Sequence, residues 1–233
     1  MQWKLSRDHG ARMPLQQLSV QEVLNCNDAY ANCWTGGWMT YAWDKSAMDG
    51  SQLEYDYPYS GYQWRESNRQ WHCPGLKEKE VASKASRYGY LPIGGEGDAV
   101  SMLSNHLYHW GPLAIAVHAS IEFETYQGGI VTLEDLRNGD SLYLQRDYRY
   151  FPYDHAVVLV GQGVADDGTQ YWILQNSWGS DWGEKGFMRV AKEGGIGLFG
   201  MNSWAMWMDV EQGYPKWEYQ RGEGGEGGEG GEW

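Results

Sequence analysis

Apolar residues in the first half of the chain recur at the spacing of an α-helix. From Leu18 to Leu24 they fall on one helical face. Ser19 is a good N-cap, and Glu22, three residues later, is placed to complete a capping box with it. The pattern therefore predicts a short helix that ends near Cys26.

The same periodicity predicts two further helices, one over residues 37–50 and one over residues 98–111. After Pro112 the chain changes to short apolar runs rich in Val and Ile, which are typical of strands. We therefore predict an α+β fold, with helices first and an antiparallel sheet second. The predicted strands cover residues 113–117, 156–160, 171–174 and 187–190.

A hairpin between two of these strands carries the candidate chemistry. Asp167 and Gly168 lie between the two runs, and Asp-Gly is a strong turn signal because glycine accepts positive φ. If the turn closes there, His155 at the start of one strand and Asn176 after the other lie at the same open end. We expect the two side chains to reach one cleft.

Composition narrows the classes of partner. The longest apolar run, residues 156–160, is too short to cross a bilayer, so we expect no membrane span. The formal net charge is −13 and the 18 basic residues are scattered, which opposes binding to nucleic acid. Residues 1–10 contain no apolar core and do not resemble a secretory signal peptide, so we expect either that the protein is not exported or that its start is missing.

The C-terminal segment repeats glycine and glutamate. Its charge and its lack of apolar residues leave nothing to offset the entropy of ordering it, so we predict a disordered tail over residues 213–233. We assign residues 1–110 to a helical domain and residues 111–212 to a β-rich domain.

His155 alone is weak evidence, because a histidine ahead of an apolar strand is more often held by local hydrogen bonds than catalytic. The runs around it are more specific. The chain reads Asp-His-Ala-Val over 154–157, Asn-Ser-Trp-Gly over 176–179 and Trp-Gly-Glu-Lys-Gly over 182–186. These runs resemble the papain family of cysteine peptidases, and the similarity extends over residues 18–207. The Leu-Ser-Val-Gln and Asp-Gly-Thr segments resemble the cathepsin X branch.

The resemblance implies a papain-like two-domain fold, in which a helical domain and an antiparallel β-barrel-like domain meet at a cleft lined by Gly36, Gly37, His155, Asn176 and Trp178. It makes His155 the partner of a nucleophilic thiol and Asn176 the residue that orients the imidazole. Trp178 would shield that pair from water, although it could equally be simple core packing. The implied substrate is a polypeptide, and no cofactor is expected.

The three cysteines do not supply the expected nucleophile. None of Cys26, Cys33 and Cys73 lies in the Cys-Gly-Ser-Cys-Trp run that carries it in the family. By resemblance, Cys26 pairs with Cys73 in a disulfide, and Cys33 is left unpaired because its family partner belongs to the missing run. We expect a chain that starts downstream of the nucleophile and, as given, hydrolyses nothing.

Several alternatives remain open. Cys33 precedes a tryptophan, as the family's nucleophile does, so a nucleophilic Cys33 is one of them. Another is a non-catalytic papain-fold module that binds a peptide or protein through its cleft.

His106 and His109 lie three residues apart on a predicted helix, but without a third ligand nearby we predict no metal site. A disulfide needs an oxidising compartment, and the family resemblance implies a monomeric lysosomal or secreted protein.

Overall fold

The computed structural model describes residues 17–27, 36–60, 81–93, 98–136 and 152–210. Its first half contains helix α1 (Val20–Cys26), helix α2 (Met39–Asp49) and helix α3 (Ala99–His109). All three predicted helices are confirmed, with ends that differ from the predicted ones by one to two residues. The predicted disordered tail lies outside the described residues.

The predicted capping box at the start of α1 is half right. The hydroxyl oxygen of Ser19 accepts a hydrogen bond from the Glu22 backbone N–H at 3.0 Å, as expected of an N-cap. The Glu22 carboxylate does not return to Ser19. It binds the ammonium group of Lys45 and accepts from the Gln52 N–H at 2.8 Å. Glu22 is 1% exposed, and a buried carboxylate needs a cation more than it needs a second backbone donor.

The described strands form one sheet. It contains the four predicted strands, which are β2 (Leu113–Val117), β4 (His155–Val164), β5 (Gln170–Gln175) and β6 (Phe187–Ala191). Three strands were not predicted, namely β1 (Ala85–Tyr90), β3 (Ile130–Val131) and β7 (Ala205–Val210). Short helices α4 (Ile121–Glu124) and α5 (Leu133–Leu136) and a 3₁₀ turn at Leu198–Gly200 connect the strands.

The strand order across the sheet is β1-β7-β2-β4-β5-β6-β3. The prediction of an antiparallel sheet holds for every pair except β3 with β6, which run parallel. Strand β1 and helix α3 precede residue 110, yet β1 pairs with β7, and Leu103 and Leu107 of α3 join the core beneath the sheet. The division into domains at residue 110 stays a prediction.

The β4–β5 hairpin closes at the predicted turn. Gly168 has a φ of +89°, and the Asp167 carboxylate accepts from the Thr169 N–H at 2.9 Å. Aligned from this turn, the strands bring the start of β4 and the end of β5 to the same edge of the sheet. Strand β2 runs alongside and ends at Val117, opposite His155. Among the described residues, no helix is long and apolar enough to span a membrane.

Candidate active site

His155 and Asn176 meet at the open end of the hairpin. The Nε2 atom of His155 lies 2.8 Å from the Oδ1 atom of Asn176. The backbone N–H of Ser177 also donates to that oxygen, again at 2.8 Å. An N–H donor requires an acceptor, so the shared Asn176 atom is the amide oxygen, and His155 Nε2 must carry the proton of its hydrogen bond.

The protonation of Nε2 determines the chemistry of the other ring nitrogen. In a neutral imidazole with a proton on Nε2, Nδ1 is a free base. Asn176 thus fixes both the tautomer and the rotation of the ring, which is the role of the third residue in a nucleophile–histidine triad. The His155 ring can accept a proton from a thiol through Nδ1 and later return it.

A cavity of about 430 Å³ lies beside His155. Gly36 and Gly37, which come just before α2, line it, and Gly36 has a φ of +68° that favours glycine. These predicted cleft residues therefore lie next to the predicted histidine, whereas Asn176 and Trp178 are not among the described lining residues. The rest of the lining is Trp38, Met39, Tyr41, Ala116, Tyr153, Asp154 and Ala156.

Aromatic rings surround the His155 imidazole. Trp178 lies with its ring centroid 4.7 Å from that of the imidazole and tilted by 32°. Trp178 is 41% exposed, so its ring covers the site from the solvent side and Trp178 is not simply a core residue. Phe123, which is fully buried, meets the imidazole edge to face at 5.8 Å. These contacts limit the access of water to the His155–Asn176 hydrogen bond.

The loop that carries Trp178 is held by charged and polar groups. The Glu184 carboxylate accepts from Arg189 Nε at 2.9 Å, from Arg189 Nη2 at 2.6 Å and from the Gly129 N–H at 3.0 Å. Hydrogen bonds from Arg189 are the main cause that lowers the pKa of Glu184. Burial opposes them to a smaller extent, and the Gly129 hydrogen bond lowers the pKa further. Beside them, the Tyr126 hydroxyl donates to the Gly129 carbonyl at 2.6 Å.

A second histidine–carboxylate pair borders the cavity. Asp154 Oδ2 lies 2.8 Å from His118 Nδ1, and Asp154 Oδ1 accepts from the Ala119 N–H at 2.8 Å. Asp154 is half exposed and lines the cavity, so the cavity contains one carboxylate group. The sequence placed Asp154 next to His155 but gave no signal that His118, 36 residues earlier, would bind it.

The cysteines are described only in part. Cys26 is disulfide-bonded, while Cys33 and Cys73 lie outside the described residues, so the Cys26–Cys73 pairing and the unpaired Cys33 stay predictions. Among the described residues, no group of three or more His, Cys, Asp or Glu side chains is arranged to hold a metal ion.

Comparison with known proteins identifies the family of this chain. Residues 6–208 match the family model for the papain family cysteine proteases. The cysteine endopeptidase RepA of rice, Oryza sativa subsp. japonica, is 33% identical over 180 residues, covering 76% of this chain and 41% of the rice protein. The chain belongs to the papain family of cysteine proteases.

Solved structures agree on the fold. Digestive procathepsin L 3 of Tenebrio molitor has a TM-score of 0.69 and 28% identity, over 89% of this chain and 59% of that one. The cysteine protease CMS1MS2 of Carica candamarcensis, solved with E-64, has a TM-score of 0.64 and 29% identity, over 87% and 81%. The predicted papain-like α+β fold is confirmed. The chain spans about half or less of the length of the curated relatives it matches: 41% in the rice protein, 47% in the cysteine protease XCP2 of Arabidopsis thaliana and 52% in the cathepsin B-like CP2 of Giardia intestinalis.

Proposed function

We propose that this chain carries the histidine–asparagine half of a cysteine-peptidase site that acts on polypeptides. The observation that supports this most is the shared oxygen of Asn176, which binds both Ser177 N–H and His155 Nε2 and leaves His155 Nδ1 as the base. Paired with a thiol, such an imidazole generates a thiolate that attacks the peptide carbonyl and forms an acyl-enzyme.

We further propose that no cysteine of this chain is that nucleophile. Cys26 is disulfide-bonded and so cannot be a thiolate. Cys73 is assigned as its partner, and Cys33 is assigned as an unpaired thiol next to the Gly36–Gly37 segment. On this proposal the chain as given hydrolyses nothing, and the family's Cys-Gly-Ser-Cys-Trp run must be supplied for turnover.

The test is a comparison of the purified chain with a version extended at its amino end by a segment that contains Cys-Gly-Ser-Cys-Trp. We expect no hydrolysis of a peptidyl fluorogenic amide by the chain itself. In an extended version that hydrolyses the amide, His155→Ala should lower the rate by roughly 10²–10⁴-fold, the usual contribution of a general base. Turnover by the unextended chain that is lost in both Cys33→Ala and His155→Ala would show that Cys33 is the nucleophile.

A second function is favoured by the cavity itself. The cavity beside His155 contains Gly36, Gly37 and the Asp154 carboxylate, and a peptide could occupy it without any reaction. This alternative is a non-catalytic papain-fold module. Reading the coding sequence upstream of Met1 separates the two, because an in-frame Cys-Gly-Ser-Cys-Trp supports the peptidase and a start codon without it supports the binding module.

The remaining expectations belong to the same proposal. The disulfide at Cys26 supports an oxidising compartment and so a lysosomal or secreted protein. The cathepsin X branch rests on the Leu-Ser-Val-Gln and Asp-Gly-Thr segments alone. We propose a monomer that binds polypeptide and neither nucleic acid nor membrane, which sedimentation and a nucleic-acid binding assay would check.

A further inference from the structure

A second cavity lies at the opposite end of strand β2 from His155. Pro112 precedes β2 and lines this cavity, whereas Val117 at the other end of β2 pairs with His155. At about 3.4 Å per residue, the five residue steps from Pro112 to Val117 separate the two places by about 17 Å. The cavity is therefore distinct from the candidate active site, and its lining is Arg87, His106, Trp110, Pro112, Trp207, Met208 and Asp209.

Two indole rings border this cavity. Trp207 of β7 lies opposite Gly89 of β1, and a side-chain carbon at Gly89 would come within 3.1 Å of the Trp207 ring. The glycine therefore lets the indole lie across strand β1, while Trp207 also packs on the core, which fixes its position. Trp110, just after α3, is 58% exposed. The cavity thus has one fixed aromatic wall and one solvent-facing aromatic wall.

An ion pair whose two charges cancel lies on the same side of the sheet as this cavity. Arg87 Nη2 donates to Asp209 Oδ2 at 2.7 Å, and the two residues are direct partners in the β1–β7 register. Arg87 is 75% exposed and Asp209 15% exposed. A guanidinium group has five N–H donors, so this one contact leaves Arg87 able to donate to a ligand.

These groups select a class of ligand by charge. The Arg87–Asp209 pair has no net charge, so it selects neither a cation nor an anion, and the chain's net charge of −13 further disfavours an anion. A purely apolar ligand would remove the ion pair from water without replacing its hydrogen bonds. The ligand that fits is neutral, with an apolar face for the indole rings and hydroxyl groups for Arg87 and Asp209.

The geometry points to a binding site for a single neutral pyranose ring, in a position that the peptidase chemistry does not use. The C–H face of the sugar would stack on Trp110 or Trp207, and its hydroxyls would accept from the Arg87 guanidinium. The cavity volume of about 260 Å³ is below the roughly 300–1,000 Å³ of sites for drug-sized ligands, which suits one ring and not an extended chain. The sequence has no Asn-x-Ser/Thr acceptor, so the sugar is not an N-linked glycan of this chain.

The test uses saturation-transfer NMR on the whole chain with millimolar methyl glycosides of glucose, galactose, mannose and N-acetylglucosamine. We expect at least one glycoside to bind. Trp110→Ala should weaken that binding about tenfold or more, equivalent to about 1.4 kcal/mol. The matched control is Tyr108→Ala. Tyr108 is an aromatic residue in α3, two positions before Trp110; it is 76% exposed and does not line the cavity. This variant should leave binding unchanged.

A second variant guards against an effect of Trp110 on folding. Arg87→Gln removes the exposed guanidinium, so it should also weaken binding while circular dichroism stays the same. No signal from any of the four glycosides, or equal effects of Trp110→Ala and Tyr108→Ala, would overturn the proposal. So would binding of tetramethylammonium in competition with the sugar, because that would indicate an aromatic cation site.

Two further experiments identify the source of the sugar and test whether its binding is independent of His155. Binding of a glycopeptide, but not of its deglycosylated form, would indicate a sugar carried on a protein, whereas binding of the free glycoside alone would indicate a free saccharide. His155→Ala should bind the glycoside as the unmodified chain does. The glycoside-binding measurement therefore tests the sugar site without depending on the peptidase proposal, and either proposal can fail while the other holds.

Discussion

Two ion pairs differ in burial: one joins helices α1 and α2, and the other lies beside the loop that carries Trp178. On the helical side, Glu22 of α1 and Lys45 of α2 are 1% and 2% exposed. On the sheet side, Glu184 and Arg189 support the loop that carries Trp178, and they are 32% and 34% exposed. The same type of contact therefore occurs once in a dry interior and once near water.

Burial changes what each pair does. The charges of Glu22 and Lys45 lose their hydration, which is tolerable because Lys45 also donates to the Gly50 carbonyl and Glu22 also accepts from Gln52 N–H, each at 2.8 Å. Near the surface, a salt bridge contributes little to stability. Loss of one partner of the first pair would therefore leave a buried charge unpaired, whereas the second pair orients the loop over His155.

The largest expected effect comes from breaking the buried pair. Lys45→Met leaves the Glu22 carboxylate without its cation, so we expect the free energy of unfolding to fall by roughly 3–5 kcal/mol. Urea unfolding followed by circular dichroism would measure it.

A double variant separates the cost of an orphaned charge from the value of the pair. Glu22→Leu combined with Lys45→Met removes both charges, and we expect it to recover most of the stability that the single change loses. The comparison between the two sides fails if Lys45→Met is no more destabilising than removal of the exposed Glu184 charge.

The next effect concerns Trp178, whose ring covers the His155–Asn176 hydrogen bond. Trp178→Ala exposes the His155–Asn176 contact to water, so the Nε2 proton of His155 should exchange with solvent about tenfold faster, equivalent to about 1.4 kcal/mol of lost protection. Nitrogen-edited NMR of the imidazole would follow this proton. Trp110→Ala is a matched control because Trp110 is 58% exposed and lines the separate cavity at the far end of strand β2. Equal acceleration in both variants would show that Trp178 does not shield the bond.

The parts of the site that the sequence predicted are those built by local contacts. His155 and Asn176 are joined by a two-stranded hairpin, so an Asp-Gly turn and two apolar runs suffice to place them together. The pairing of His118 with Asp154 depends on the neighbouring strand β2, and no local pattern marks it.

The missed strands have a similar physical reason. Strand β1 reads Ala-Ser-Arg-Tyr-Gly-Tyr and lies at one end of the sheet, where it pairs only with β7. With exposed Ser86 and Arg87 in a row, it lacks the alternation that marks a half-buried strand. Glu22 also shows that a local pattern does not reveal a long-range partner. Its spacing from Ser19 indicated a capping box, but in the folded chain its carboxylate binds Lys45.

The smallest expected effect is on the exposed pair, and it depends on pH. Glu184→Gln removes a carboxylate whose pKa is held below its ordinary value of 4.5, chiefly by Arg189. A lowered carboxyl pKa adds stability above the unfolded-state pKa, and this stability is lost as the pH falls through the folded-state pKa. The unmodified chain should therefore be more stable than the variant by about 0.5–1 kcal/mol at neutral pH. That difference should shrink toward zero as the pH falls below about 4.

Salt provides the control for this last prediction, because screening acts on the exposed pair and hardly on the buried one. Raising the salt concentration should reduce the effect of Glu184→Gln while leaving that of Lys45→Met nearly unchanged. A Glu184→Gln effect that is independent of both pH and salt would mean that the hydrogen-bonding geometry of the two carboxylate oxygens of Glu184, and not their charge, holds the loop over His155.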